Sequence, residues 1–309
     1  MTARVWPAVA AGIGMFFLCV QGRAEETSAS PGAIGSFIAD GGSSGRDARR
    51  NALDALPLER MPEQHRKSME KCLRGTTLYR HLPTKTVMCD GDLLAFSLVH
   101  PEAIVDIWRV LGISRLSLDP AGPRQWRLDD GYGTVGSLRL VHHEGDRRGG
   151  TLVFHGRGAY TGPLAPRMLT GSCVLLVRHA AAEPAADGRP RQRIDIDAFL
   201  DMDGVGLEVV TRTLQPLIVR SAASNLHEIC LFMASLSKAA ETNPEGVVRL
   251  VGRLSRTDPA EKQSLAAIAR AVGRGDGPVH AAAAVDEGRL QTELASRWLR
   301  AEELDRFHK

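Results

Sequence analysis

Leu207–Leu236 reads LEVVTRTLQPLIVRSAASNLHEICLFMASL, and its apolar spacing decides the fold. Leu214, Ile218, Ala222, Ile229, Phe232, Met233 and Leu236 recur at helical steps. Such a stripe predicts one amphipathic helix of about eight turns. Pro216 either kinks this helix or starts its main part. A stripe this long needs an equally long apolar partner. At roughly 25 cal/mol per Å² its burial would supply ten or more kcal/mol of gross stabilisation.

The partner is written in the preceding ninety residues. Six strand candidates follow one another without a helix: Ser114–Asp119, Arg124–Asp130, Thr134–His143, Gly150–Tyr160, Thr170–His179 and Arg191–Asp201. The breaks between them carry Gly, Pro and Asp, which is turn chemistry. Leu152, Phe154 and Tyr160 alternate with His155 and Arg157, and Ile194, Ile196 and Ala198 with Arg193, Asp195 and Asp197. That alternation predicts an antiparallel sheet with one dry and one wet face. Upstream, Lys85–Cys89 is β-prone and Gly91–Val99 is helical. Pro101 starts a second helix with Ile104, Ile107, Trp108 and Leu111 on its apolar face, and Gly112 stops it.

The predicted class is α+β: seven antiparallel strands and a closing helix, in the order β-α-α-β6-α. Over Thr84–Ala240 this order resembles the helix-grip fold of the START and polyketide-cyclase-like superfamily. The resemblance rests on element order and on the closing helix, since that superfamily has no sharp motif. It implies a deep apolar cavity between sheet and long helix that holds lipids, sterols or polyketides, with catalysis in a minority of members.

Outside that core, Met1–Arg4 is positive, Val5–Val20 is apolar, and Gly22-Arg23-Ala24 offers small residues to a signal peptidase. Residues 1–24 read as an export signal cleaved after Ala24, giving a secreted or periplasmic protein. Retention as an anchor is the alternative. Residues 25–45, rich in Ser, Gly and Ala, read as a flexible linker. Residues 46–84 read as a helical wrap around Leu53, Leu56, Met61 and Leu78. Residues 85–242 form the main domain, and 243–309 a C-terminal helical extension. Asp258-Pro259 is an N-cap followed by Pro at the first helical position. Leu290, Leu294, Trp298 and Leu304 form a last stripe that docks on the domain or on an envelope partner.

The chain has 309 residues, 43% of them hydrophobic, enough to bury a core and exclude global disorder. Lys and Arg number 39 against 36 Asp and Glu, and cleavage removes Arg4 and Arg23. That near-neutral balance argues against nucleic acid as a partner. Cys72 and Cys89 make the plausible disulfide for an oxidising compartment, closing a loop for about 3 kcal/mol. Cys173 and Cys230 read as buried thiols.

No catalytic motif stands out. Asp201-Met202-Asp203-Gly204 fails calcium-loop spacing, with Phe199 and Val210 at ligand positions. Asp195, Asp197, Asp201 and Asp203 share the wet face and read as a solvated edge. The histidines show neither a helical His-x-x-x-His pair nor a zinc spacing, and no metal or cofactor is expected. Asn225 falls in the helix stripe, where an unpaired amide costs about 1–3 kcal/mol. Its partner is sheet backbone, water or the polar end of a ligand. Trp126, His142 and Tyr160, with Phe154 as apolar wall, are candidates to line the same space. The leading expectation is an exported carrier of a hydrophobic small molecule or envelope lipid, without chemistry. The alternatives are a cyclase- or hydrolase-like enzyme using His142 or Tyr160, and a structural envelope protein with a filled core.

Overall fold

The computed structural model describes residues 42–162, 168–203, 207–274, 287–299 and 303, with side chains in the long helix from Ile218 onward. The export signal and most of the linker lie outside the described residues, as does Leu304. Among those described, no helix is long and apolar enough to cross a membrane.

The chain opens with α1 (Arg46–Asp54), a single 3-10 turn at Leu58–Arg60, and α2 (Glu63–Arg74). Two short strands follow, β1 (Leu78–His81) and β2 (Lys85–Met88), then α3 (Gly91–Val99) and α4 (Pro101–Leu111). The six long-predicted strands come next: β3 (Ser117–Gly122), β4 (Gln125–Asp129), β5 (Thr134–Asp146), β6 (Gly149–Tyr160), β7 (Leu169–Ala182) and β8 (Arg191–Asp203). The chain ends with α5 (Leu207–Thr242), α6 (Pro244–Gly252), α7 (Pro259–Gly273) and α8 (Glu287–Ala295).

The class is α+β, built on an eight-stranded antiparallel sheet ordered β1-β8-β7-β6-β5-β4-β3, with β2 also paired to β8. From β3 to β8 each strand turns back on the one before it. Turn residues at the breaks leave no room for a crossover helix, so antiparallel pairing is the only route. The eighth strand is a correction. Leu78 belongs not to a helical wrap but to β1, where it pairs with Leu200. Thr76-Thr77-Leu78-Tyr79 is β-branched and aromatic, a composition that suits a pleated surface better than a helix.

The inner face of the sheet shares one core with α3, α4, α5 and the C-terminal helices. On α5, Ile218, Ala222, Leu226, Met233 and Leu236 are all buried. Helix boundaries follow local chemistry. Asp90 caps α3, accepting from the backbone of Asp92 and Leu93. Pro101 opens α4, and Gly112, at φ 70°, closes it in the left-handed region. Asp258 accepts from Ala260 and Pro259 opens α7. Leu290, Leu294 and Trp298 join this core.

The middle of the outer face is also dry, contrary to the wet face expected, while Arg157 and Arg193 on the same face are exposed. Val153, Val174, Leu176 and Phe199 point outward and pack beneath Ala52, Leu56, Met61, Met69 and Cys72. The Cys72–Cys89 disulfide is corrected on the same ground. Cys72 lies in the outer core and Cys89 in the inner one, with the sheet between them. All four described cysteines are free and buried.

Asp197 is not a solvated edge residue either, since it is 1% exposed. Its Oδ1 accepts from the Tyr79 hydroxyl at 2.7 Å and meets His81 Nδ1 at 2.9 Å, while Oδ2 accepts from Arg178 at 2.6 Å. This knot ties β1 to β7 and β8. Removing one member of a buried charge pair leaves the other uncompensated, at about 3–5 kcal/mol. Asp197→Ala is expected to lower stability by about that much in denaturant unfolding, and a loss below about 1 kcal/mol would remove the knot's structural role.

His155 sits on the outer face opposite Arg139. Burial first, then the charges of His65, Arg139 and Arg157, hold its pKa down to about 4. Between 6.5 and about 4 the unfolded chain therefore takes up a proton that the folded chain refuses. Stability is full above 6.5 and falls as pH drops through that window, by at most about 3 kcal/mol. Urea unfolding at pH 7 and pH 4.5 should show this slope in the wild type and a flatter one in His155→Gln.

Candidate functional site

The inner core is not filled. A cavity of about 180 Å³ lies between the sheet, α3, α4 and α5. Leu118, Leu138, Phe154 and Ile196 form its floor on the sheet, Leu94 and Trp108 one wall, and Leu226 and Met233 the other. It arises where three helices share one sheet face. Leu98, Pro101 and Ile229 are half-buried parts of the lining and mark where it approaches solvent.

The lining carries few heteroatoms. Ser97 Oγ donates to the Leu93 carbonyl at 2.7 Å, within its own helix. Burial pushes the Cys230 thiol up to about 11, so it stays protonated and inert. Trp108 differs. Its Nε1–H is buried without an acceptor, while its ring meets Phe232 edge-on at 5.7 Å. Buried indole N–H groups normally find a partner.

Of the residues singled out from sequence, Phe154 lies in the cavity wall. Trp126 is buried beside the wall residue Leu138, its cross-strand partner, without bordering the space. Tyr160 is six residues along β6 from Phe154, about 20 Å at the usual strand rise. It packs instead near Thr134 and Leu169. A register shift between Leu140 and His142 sets His142 opposite Val153, an outer-face residue. There His142 Nε2 lies 3.6 Å from the Glu144 carboxylate, too far for a hydrogen bond. Asn225 is buried, and its amide donates to Ser221 Oγ at 3.5 Å, one turn back on α5. The space is thus lined by α3 and α4 as much as by α5. Trp108 was legible as a core residue of α4, but nothing in its spacing marked its unpaired donor.

No protein-family model matches the chain, and no curated protein does. Among solved structures the chain is similar to the Mll3558 protein of Rhizobium loti, at 19% identity and a TM-score of 0.27. The likeness covers 48% of this chain and 97% of that one. It is too slight to carry fold or function from one to the other.

A second polar group borders this region and was not foreseen. His100, Glu102 and Glu261 each bring one donor atom within 4.8 Å of the others, the one such His/Cys/Asp/Glu group among the described residues. A hydrogen bond with Glu102, followed by the charge of Glu261, raises the pKa of His100 against the opposing effect of burial. Burial, and then the adjacent Glu102 charge, hold the Glu261 carboxyl above its ordinary range.

Phe154 is 6% exposed and contributes a full ring to the floor. Phe154→Ala is expected to cost about 3–5 kcal/mol in chemical unfolding, because it adds void to void. A cost below about 1 kcal/mol would mean that the floor collapses and the cavity has no rigid frame.

Proposed function

We propose that this is an exported helix-grip protein that holds one small, mostly apolar molecule between the inner sheet face and α3, α4 and α5, without catalysis. The observation that carries this reading is the cavity itself: a space with an almost wholly apolar lining. A pocket of greasy walls recognises an apolar body.

Size narrows the ligand. An apolar cavity of roughly 150 Å³ stays dry and takes up benzene. Pockets for drug-sized ligands run to roughly 300–1,000 Å³. At about 180 Å³ the space accepts a single ring or one stretch of acyl chain. A whole lipid requires α3 and α4 to swing away from α5, with the head group left at the mouth near Pro101. The export signal supports an envelope source for such a molecule. The enzyme reading has less support, because the acid/base groups it invoked, His142 and Tyr160, stand outside the wall.

Full-length protein purified from its own envelope should carry a bound mass in native mass spectrometry. After delipidation it should bind ethylbenzene saturably in calorimetry. Cys230→Phe places a ring in the cavity and is expected to weaken that binding at least tenfold while thermal unfolding remains cooperative. A bare mass together with equal ethylbenzene binding by wild type and Cys230→Phe would overturn the carrier reading.

A further inference from the structure

The cluster at the start of α4 and α7 is built by two matching pieces of sequence. His100 ends α3 and begins α4, with backbone angles of φ −120° and ψ 62°. Pro101 then sets the first helical position, and Glu102 falls in the first turn. Asp258-Pro259 repeats that start, and Glu261 falls in the first turn of α7. Packing of α3 on α7 brings the two helix starts together. His100 Nδ1 lies 3.0 Å from Glu261 Oε1 and 3.4 Å from Glu102 Oε1. Donor atoms around one tetrahedral ion with bonds of about 2.1 Å are about 3.4 Å apart.

The acceptors in this cluster are not all satisfied from within. Glu102 is 3% exposed, yet its Oε2 has no donor, and Glu261 Oε2 is likewise buried without one. The single Nδ1 proton of His100 serves at most the two Oε1 atoms. A divalent cation is the positive partner that would engage both carboxylates together with the imidazole.

We propose that His100, Glu102 and Glu261 bind one divalent transition-metal ion, Zn²⁺ by the chemistry of the donor set, with a coordination position left open towards solvent. One imidazole nitrogen disfavours Mg²⁺ and Ca²⁺, and the absence of thiolate from the set disfavours Cu⁺. The His100 and Glu261 side chains are 31% and 25% exposed, which gives the ion a route in. Stacking of the His100 ring on Phe96, at 4.7 Å, fixes the ring plane and so the direction of Nδ1. Pro101, between two of the ligands, borders the apolar cavity, which places the ion at its rim. The proposal does not depend on what the cavity holds.

The test uses the full chain, stripped with EDTA and dialysed. Zn²⁺ is titrated calorimetrically, and Co²⁺ in parallel by its visible absorption. Wild type should bind one equivalent with a micromolar or tighter Kd, raise its unfolding temperature, and give a Co²⁺ band of four- or five-coordinate intensity. Glu261→Gln, at a partly exposed site with hydrogen-bonding capacity kept, should fold normally and lose at least tenfold in affinity. His100→Gln should do the same, while His227→Gln, outside the cluster, should match wild type. No saturable binding at 100 µM metal, or equal binding by all variants, overturns the proposal. So does a Glu102→Gln protein that gains stability while Zn²⁺ adds none to wild type, since the carboxylate pair is then bridged by a proton.

Discussion

Burial of both faces of strands β6, β7 and β8 is the constraint from which the remaining architecture follows. Leu152, Phe154, Leu175 and Ile196 point one way, and Val153, Val174, Leu176 and Phe199 the other. A sheet with two dry faces cannot stand as a half-solvated layer, so it needs cover on each side. The inner side takes α3 to α8. The outer side takes α1, the 3-10 turn and α2. The N-terminal segment is therefore a structural layer, and Arg178, Tyr79 and His81 around Asp197 join its strand to the sheet with charge and hydrogen bonds.

Much of this layering was readable in the residues. Strand starts, helix caps and the α5 stripe all rest on local chemistry: Asp90, Pro101, Gly112 and Asp258 act within a turn of where they stand. The second dry face was also written, in the unbroken run Cys173-Val174-Leu175-Leu176-Val177, whose lack of alternation is the mark of a strand buried twice. The alternation in β6 and β8 carries the opposite signal. Asp195, Asp197, Asp201 and Asp203 do share one face, but whether that face is wet depends on α1 and α2, which local pattern does not locate. The same limit applies to Leu78, which pairs in β1 with Leu200 of a strand more than a hundred residues away.

The site was harder to read than the fold because sites depend on small offsets. Phe154 and Tyr160 have the same facing and differ only by three pleats of distance. His142 is displaced by one register shift at Leu140. His100, Glu102 and Glu261 come together from segments about 160 residues apart, and neither segment carries a ligand spacing of its own. What marked them locally, a Pro at a helix start with an acid in the first turn, is the ordinary grammar of a helix N-terminus.

The cavity also bears on stability. A closed apolar void costs about 24 cal/mol per Å³, so about 180 Å³, partly open here, corresponds to at most about 4 kcal/mol. That is a large share of the 5–15 kcal/mol that typically separates a folded chain from an unfolded one. Small-to-large changes at Cys230 or Leu94 fill the space without a new backbone arrangement, so nothing in the packing forces the gap. Trp108 adds to the cost, since its Nε1–H gives up water and gains no acceptor. A ligand that fills the space removes the void's penalty, and at a hundredfold excess over its Kd it returns about 2.7 kcal/mol to the folded state. Occupancy by an apolar molecule therefore accounts for the void without any change in the backbone.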